Sequence, residues 1–263
     1  MDPVTSLQDW SGAVQRRLQM AGRLLHTSAL VLALVLSPSS YGRANRANLA
    51  SHVYLGTAPL LPWFTVLVAF ASLVVIRIVV VTAESYGLSQ YALETVVRVL
   101  VLELIPLTAA LFVAVRLTLP AGVELAGMRA RGELDAQRAR GLDPLVTEVV
   151  PRVCAGMFSV VTLAVVSCVI SLVLTYLVVH GLTHTAFDGY TRKVGQVFNP
   201  SVALIFALKT LFFSLAVSLI PMVTGVQEPS SGEVRATPEL QGLVRMFLLI
   251  LMIEVASLIG NYY

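Results

Sequence analysis

Charge is scarce in this chain. Only 13% of its 263 residues are Asp, Glu, Lys or Arg, against 57% hydrophobic. With a mean hydropathy of +0.82, that scarcity excludes a soluble globular domain of this length and points to a bilayer. Cysteine is scarcer still. Cys154 and Cys168 fall in one apolar stretch and lie about 21 Å apart along a helix rising ~1.5 Å per residue, too far to bridge, so they read as small packing residues. Also absent are a GxxxxGK[ST] loop, an HExxH pair and any Cys/His metal spacing. Any ATP is therefore hydrolysed by a separate chain that holds the nucleotide and Mg, and no cofactor is expected in this one. His180 and His184 stand at i, i+4 beside Gly181 without an acidic third ligand and read as solvated loop histidines.

What the chain has instead is apolar length. Five stretches, roughly 58 to 82, 97 to 121, 153 to 179, 200 to 223 and 241 to 260, can each cross the ~30 Å hydrocarbon core, which takes about 20 helical residues. The expected fold is all-α and integral to the membrane, with about five transmembrane helices. Residues 1–57 form a separate N-terminal cytoplasmic or interfacial region, and 58–263 the transmembrane domain. The apolar run Leu24 to Leu36, preceded by Arg16, Arg17 and Arg23, is too short to span. It reads as an interfacial helix or as the apolar core of a cleaved signal, with the arginines unusually far along for the latter.

Positive charge sets orientation. Arg16, Arg17, Arg23, Arg43 and Arg46 precede the first span, and Arg129, Arg131, Arg138, Arg140 and Arg152 cluster after the second. The turn after the first span has no Lys or Arg until Arg98, and the connection after the third has only Arg192 and Lys193. The positive-inside rule puts the N-terminus and residues 124–152 in the cytoplasm and the C-terminus outside. The +3 net charge reflects this bias and is no sign of nucleic-acid binding.

Arg77, Glu103, Arg116, Lys209 and Glu254 fall inside the expected spans. Each costs at least ~2.5 kcal/mol at membrane depth, so such residues face a partner or a wet cavity. Counted from the span ends, Arg77, Glu103, Lys209 and Glu254 share the outer half and Arg116 lies near the inner end. Two readings follow: a polar, outward-open cavity for a charged headgroup, or ion pairs of Arg77 with Glu103 and Lys209 with Glu254 that fix helix packing.

Between the second and third spans, Met128 to Arg140 contains no proline or β-branched residue, pairs Arg131 with Asp135 at i, i+4 and ends at Gly141, before Asp143-Pro144 turns the chain. A short helix across the membrane surface is expected. It reads either as a solvated loop helix or as a coupling helix docked in an ATPase groove.

The run Glu103, Pro106, Ala114, Arg116, Glu124, Gly127-Met128, Glu133, Leu134-Asp135, Asp143-Pro144, Pro151-Arg152 and Ala155-Gly156 resembles the signature region of the MlaE/YrbE permeases, the membrane subunits of ABC transporters linked to MCE proteins. The resemblance continues through Leu208 to Phe213, Val234 to Thr237 and Glu254. It implies a bacterial inner-membrane, multi-pass permease moving phospholipid or a related lipid between the membrane and a periplasmic MCE assembly. Its partners would be a second permease copy or paralogue, two cytoplasmic ATPase subunits and membrane lipid, with no nucleic acid. The chain itself would be a transporter subunit and no enzyme. Arg77, Tyr86, Glu103, Lys209 and Glu254 would line the lipid cavity. Glu124, Met128, Glu133, Leu134, Asp135, Arg138, Asp143 and Pro144 would couple to the ATPase. The chain departs from the family pattern at Leu102, Ile105, Leu117 to Pro120 and Arg77 to Val79, near the implied cavity, so the ATPase-facing block is the better kept. A rival reading, an ion-coupled secondary transporter with Glu103 and Glu254 carrying protons, meets no inverted repeat and an odd number of spans.

Overall fold

The computed structural model describes residues 22–181, 186–227 and 238–262. Arg16, Arg17, His184 and the Val234 to Thr237 stretch lie outside these. The described residues form helices and no strand. Five helices are long and apolar enough to cross a membrane: Asn45–Ser85, Tyr91–Ala130, Leu145–His180, Pro200–Val226 and Gly242–Gly260. Each contains the greater part of an apolar run seen in the sequence and extends past most of them, because the polar flanks continue the same helix beyond the apolar window.

The apolar N-terminal run forms α1 (Gly22–Leu36). It packs Val31 and Val35 against Leu125, Val149, Val153 and Met222, and Gln227 bonds Thr27 at 3.0 Å. That placement sets α1 against the ends of three spans. The chain then passes through a single tight turn (Pro38–Tyr41) into α2 (Arg43–Thr57) and, across Ala58-Pro59, α3 (Leu60–Ser85).

The second span is composite: α4 (Ser89–Val96), a widened stretch at Val97–Leu104, α5 (Ile105–Val113), a second widened stretch at Ala114–Thr118 and α6 (Leu119–Ala130). After α7 (Glu133–Ala139) a third widened stretch, Leu145–Val149, opens α8 (Val150–His180). Proline explains all three. Pro106, Pro120 and Pro151 each stand two residues beyond a widened stretch, where the missing N–H and the ring's clash with the carbonyl four residues back are accommodated by letting the preceding backbone bond one residue further on. Two of the carbonyls so released, those of Leu102 and Thr147, become acceptors for other helices.

The remaining elements are α9 (Phe187–Val197), α10 (Pro200–Val226) and α11 (Pro238–Tyr262). With bilayer rather than water around the spans, packing and hydroxyl pairs hold the helices together. Thr57 meets Ser159 and Ser72 meets Ser171, each at 2.7 Å. Backbones touch where side chains vanish: a Cβ on Gly122 of α6 would lie 2.6 Å from the Pro221 carbonyl of α10, so glycine fixes that crossing. One end of the bundle carries α1, α7 and the start of α8. The other carries the end of α3, the start of α4, and α9.

Candidate functional site

Glu103 sits in the first widened stretch of the second span, Lys209 in the half of α10 remote from α7, and Glu254 on α11 at the same level. The three meet. The Lys209 ammonium contacts the Glu103 carboxylate and lies 2.9 Å from Glu254 Oε2, with the Phe213 ring 5.8 Å away. It also donates to the carbonyl of Leu102 at 3.4 Å, the acceptor that an uninterrupted α-helix would pair with residue 106, where proline has no N–H. Lys209 is 2% exposed and Glu103 9%. Two carboxylates and one ammonium thus share a largely buried site within the chain, held by a proline-released carbonyl as well as by charge.

Of the residues expected there, Lys209 and Glu254 pair as one reading of the sequence anticipated. Glu103 does not pair with Arg77. The buried positions of α3 are Leu60, Phe64, Val68, Ser72, Ile76 and Val80, and Arg77, one residue past Ile76, is turned about 100° away on a helix of ~3.6 residues per turn. It is exposed, in a stripe with Phe70, Val74, Ile78 and Val81. Tyr86 is 78% exposed at the end of α3 and does not reach the cluster either. Arg116 is exposed on the second widened stretch.

The segment between the second and third spans differs from expectation in one respect. No single helix runs from Met128 to Arg140. Gly132 adopts φ 72° and splits it into the end of α6 and the short α7, a left-handed conformation that glycine takes without steric cost. With the helix broken, Arg131 pairs with Glu133 and not with Asp135, and Asp135 takes Arg138 at 2.8 Å. The Arg131 guanidinium holds the Glu133 carboxyl below its ordinary range. Gly141, at φ 78°, closes α7 as the sequence anticipated.

The remaining coupling residues divide by face. Leu134 is buried beneath α7, Met128 packs against the cluster formed with α1 and Pro144 is buried. Asp143 accepts from the backbone N–H of Leu145 at 2.9 Å, so its carboxylate serves the turn. Glu133, Asp135 and Arg138 face outward. Beside them stands Leu142, 50% exposed, an apolar knob at the tip of the turn that a search for charge patterns passes over.

Polar contacts fasten α7 to the bundle. Gln137 donates to Glu148 at 3.1 Å and accepts from Thr147 at 3.3 Å. Arg152, with a side chain 10% exposed, holds Glu148 and lies 3.5 Å from Glu124 of α6. On α2, Asn45 and Asn48 donate to the carbonyls of Val146 and Thr147 at 3.2 and 3.0 Å. These contacts tie α7 to the base of α8 and, through it, to α2 and α6.

Comparison with known proteins places this arrangement. The family described as "Permease MlaE" matches residues 49–259, and the chain belongs to that family. Over 154 residues it is 28% identical to a probable ABC transporter permease protein of Rickettsia prowazekii (strain Madrid E), a stretch covering 56% of this chain and 59% of that protein.

Proposed function

We propose that this MlaE-family permease is the membrane subunit of an ABC transporter that moves a phospholipid or related lipid between the bacterial inner membrane and a periplasmic MCE assembly. Two permease copies, or this chain and a paralogue, would work with two cytoplasmic ATPase subunits that bind ATP and Mg. The observation that carries the reading is the fastening of α7. A short surface helix presents Glu133, Asp135, Arg138 and Leu142 outward while its inner face is bonded through Gln137, Thr147 and Glu148 to the foot of a transmembrane helix. A motor gripping that helix moves the spans with it.

In this reading the α7 end is cytoplasmic and the end of α11 periplasmic, so the Glu103, Lys209 and Glu254 cluster lies in the outer half of the membrane. Buried within one chain, the cluster would act as an ionic latch between the second span, α10 and α11, which a lipid headgroup competing for Lys209 would loosen. Arg77 and Tyr86, exposed near the same end, would add charge and an aromatic edge to the lipid path from the surface of α3. Reconstitution of the permease with its copurifying ATPase in vesicles tests the proposal. ATP-dependent transfer of fluorescent phospholipid to an MCE acceptor is expected. ATP-independent flux driven by a proton gradient through the permease alone would overturn it in favour of a secondary transporter.

A further inference from the structure

At the α7 end a cleft of about 280 Å³ opens between α2, α6 and α8. Its lining is two-sided, with His52, Glu124 and Arg152 on the polar part and Leu55, Leu117 and Met222 on the apolar part. Arg152 lies in the first turn of α8 and Glu124 in the last turns of α6, where apolar spans give way to charged sequence. That is headgroup depth. Leu55, 67% exposed, leaves the apolar side open to the surroundings of the bundle.

Arg152 is arranged unevenly. Its side chain is nine-tenths buried. Nη1 is occupied by the Glu148 carboxylate and, at 2.9 Å, by the Glu148 carbonyl. Nη2 faces the Glu124 carboxylate at 3.5 Å, and Glu124 is 60% exposed, so this contact is long and loosely held. Across the cleft, His52 Nδ1 lies 3.0 Å from the Asn48 carbonyl. A carbonyl only accepts, so Nδ1 donates here and Nε2 of the neutral ring is an acceptor, suited to a hydroxyl and not to a phosphate oxygen.

We propose that this cleft binds the phosphate of a phospholipid headgroup from the leaflet at the α7 end. A phosphate oxygen takes Arg152 Nη2 in place of the Glu124 carboxylate, a single charge-assisted contact because Nη1 stays with Glu148, and the glycerol end lies along Leu55 and Leu117. The volume falls just below the roughly 300 Å³ at which sites enclose a whole small ligand, so the cleft takes a headgroup and leaves the acyl chains in the bilayer. It is separate from the Glu103, Lys209 and Glu254 cluster, which lies in the other half of the bundle. Because Arg152 also holds Glu148, and Glu148 accepts from Gln137 of α7, the bound headgroup touches the same polar chain that fastens α7.

The test uses the full chain in nanodiscs containing phosphatidylglycerol with a photoactivatable group at its glycerol end, read by peptide mass spectrometry. It needs neither ATP nor an ATPase, so its outcome is independent of the transport reading. Labelling is expected on peptides holding residues 51–56 and 117–124. It should fall roughly tenfold in Arg152→Gln, as for loss of a charge-assisted hydrogen bond, and comparably in Leu55→Trp, which fills the cleft from an exposed position and leaves Arg152 and its partners untouched. Undiminished labelling in Leu55→Trp would overturn the proposal even if Arg152→Gln fails to fold. Equal labelling by a diacylglycerol probe lacking phosphate, displacement by millimolar inorganic phosphate, or crosslinking of a copurified protein in place of lipid would overturn it as well.

Discussion

Asn48 donates its side-chain amide to the carbonyl of Thr147 at 3.0 Å, four residues before Pro151, the residue that in an unbroken α-helix would have supplied the donor. Lys209 stands in the same relation to Leu102 and Pro106. Pro106 and Pro151 thus act through the acceptor each releases, which a second helix then occupies. Loss of Asn48 leaves that acceptor without its partner, at a cost of about 1 to 3 kcal/mol. Asn48→Ala should therefore lower the detergent melting temperature, and should do so less in a Pro151→Ala background, where residue 151 regains its N–H. An equal loss in both backgrounds would contradict the relation.

The ionic cluster makes an ordered prediction. Lys209→Met strips the cation from two neighbouring carboxylates and should cost about 3 to 5 kcal/mol, the range for breaking a buried pair. Glu254→Gln leaves Lys209 its contact with Glu103 and should cost less. Combining Glu103→Gln with Lys209→Met should recover part of the loss. Thermal denaturation of the three variants checks the order, and a Glu254→Gln defect as large as that of Lys209→Met would show that Glu254 is the principal partner.

Arg77→Leu should leave yield and melting temperature unchanged or raise them, because the side chain is exposed and removing it relieves a charge at membrane depth. In the transport reading the same variant slows lipid transfer. Marked destabilisation would show that Arg77 has a structural partner.

The five spans were legible because length and apolarity alone define them. The three widened stretches were not, because proline does not always produce one: Pro106, Pro120 and Pro151 follow them, whereas Pro221 lies inside an unbroken α10. Helix faces were not legible. In a span such as α3 nearly every residue is apolar, so periodicity cannot tell the side of Ile76 from the side of Arg77, and a pairing of Arg77 with Glu103 inferred from depth alone failed while Lys209 with Glu254 held. The break at Gly132 was missed for a related reason. The stretch has no proline or β-branched residue, and helix propensity does not show which glycine the fold puts at positive φ. Leu142 escaped because a lone leucine in a charged turn has no pattern around it.

Orientation rests on the arginine census. Cysteines introduced at Gly189 and Ala136, both exposed and at opposite ends of the bundle, should behave differently toward a membrane-impermeant thiol reagent added outside the cell. Gly189→Cys should react and Ala136→Cys should not. The reverse pattern would place α7 on the outer face.

The outward face of α7 is where coupling is read most directly. With Glu133→Arg, Asp135→Arg and Arg138→Glu combined, the buried contacts of Leu134 and Gln137 are untouched. Copurification of the ATPase and ATP-driven phospholipid transfer should therefore both be lost at unchanged permease yield and melting temperature. Wild-type ATPase recovery and transfer rate with the triple variant would contradict the coupling role of this helix.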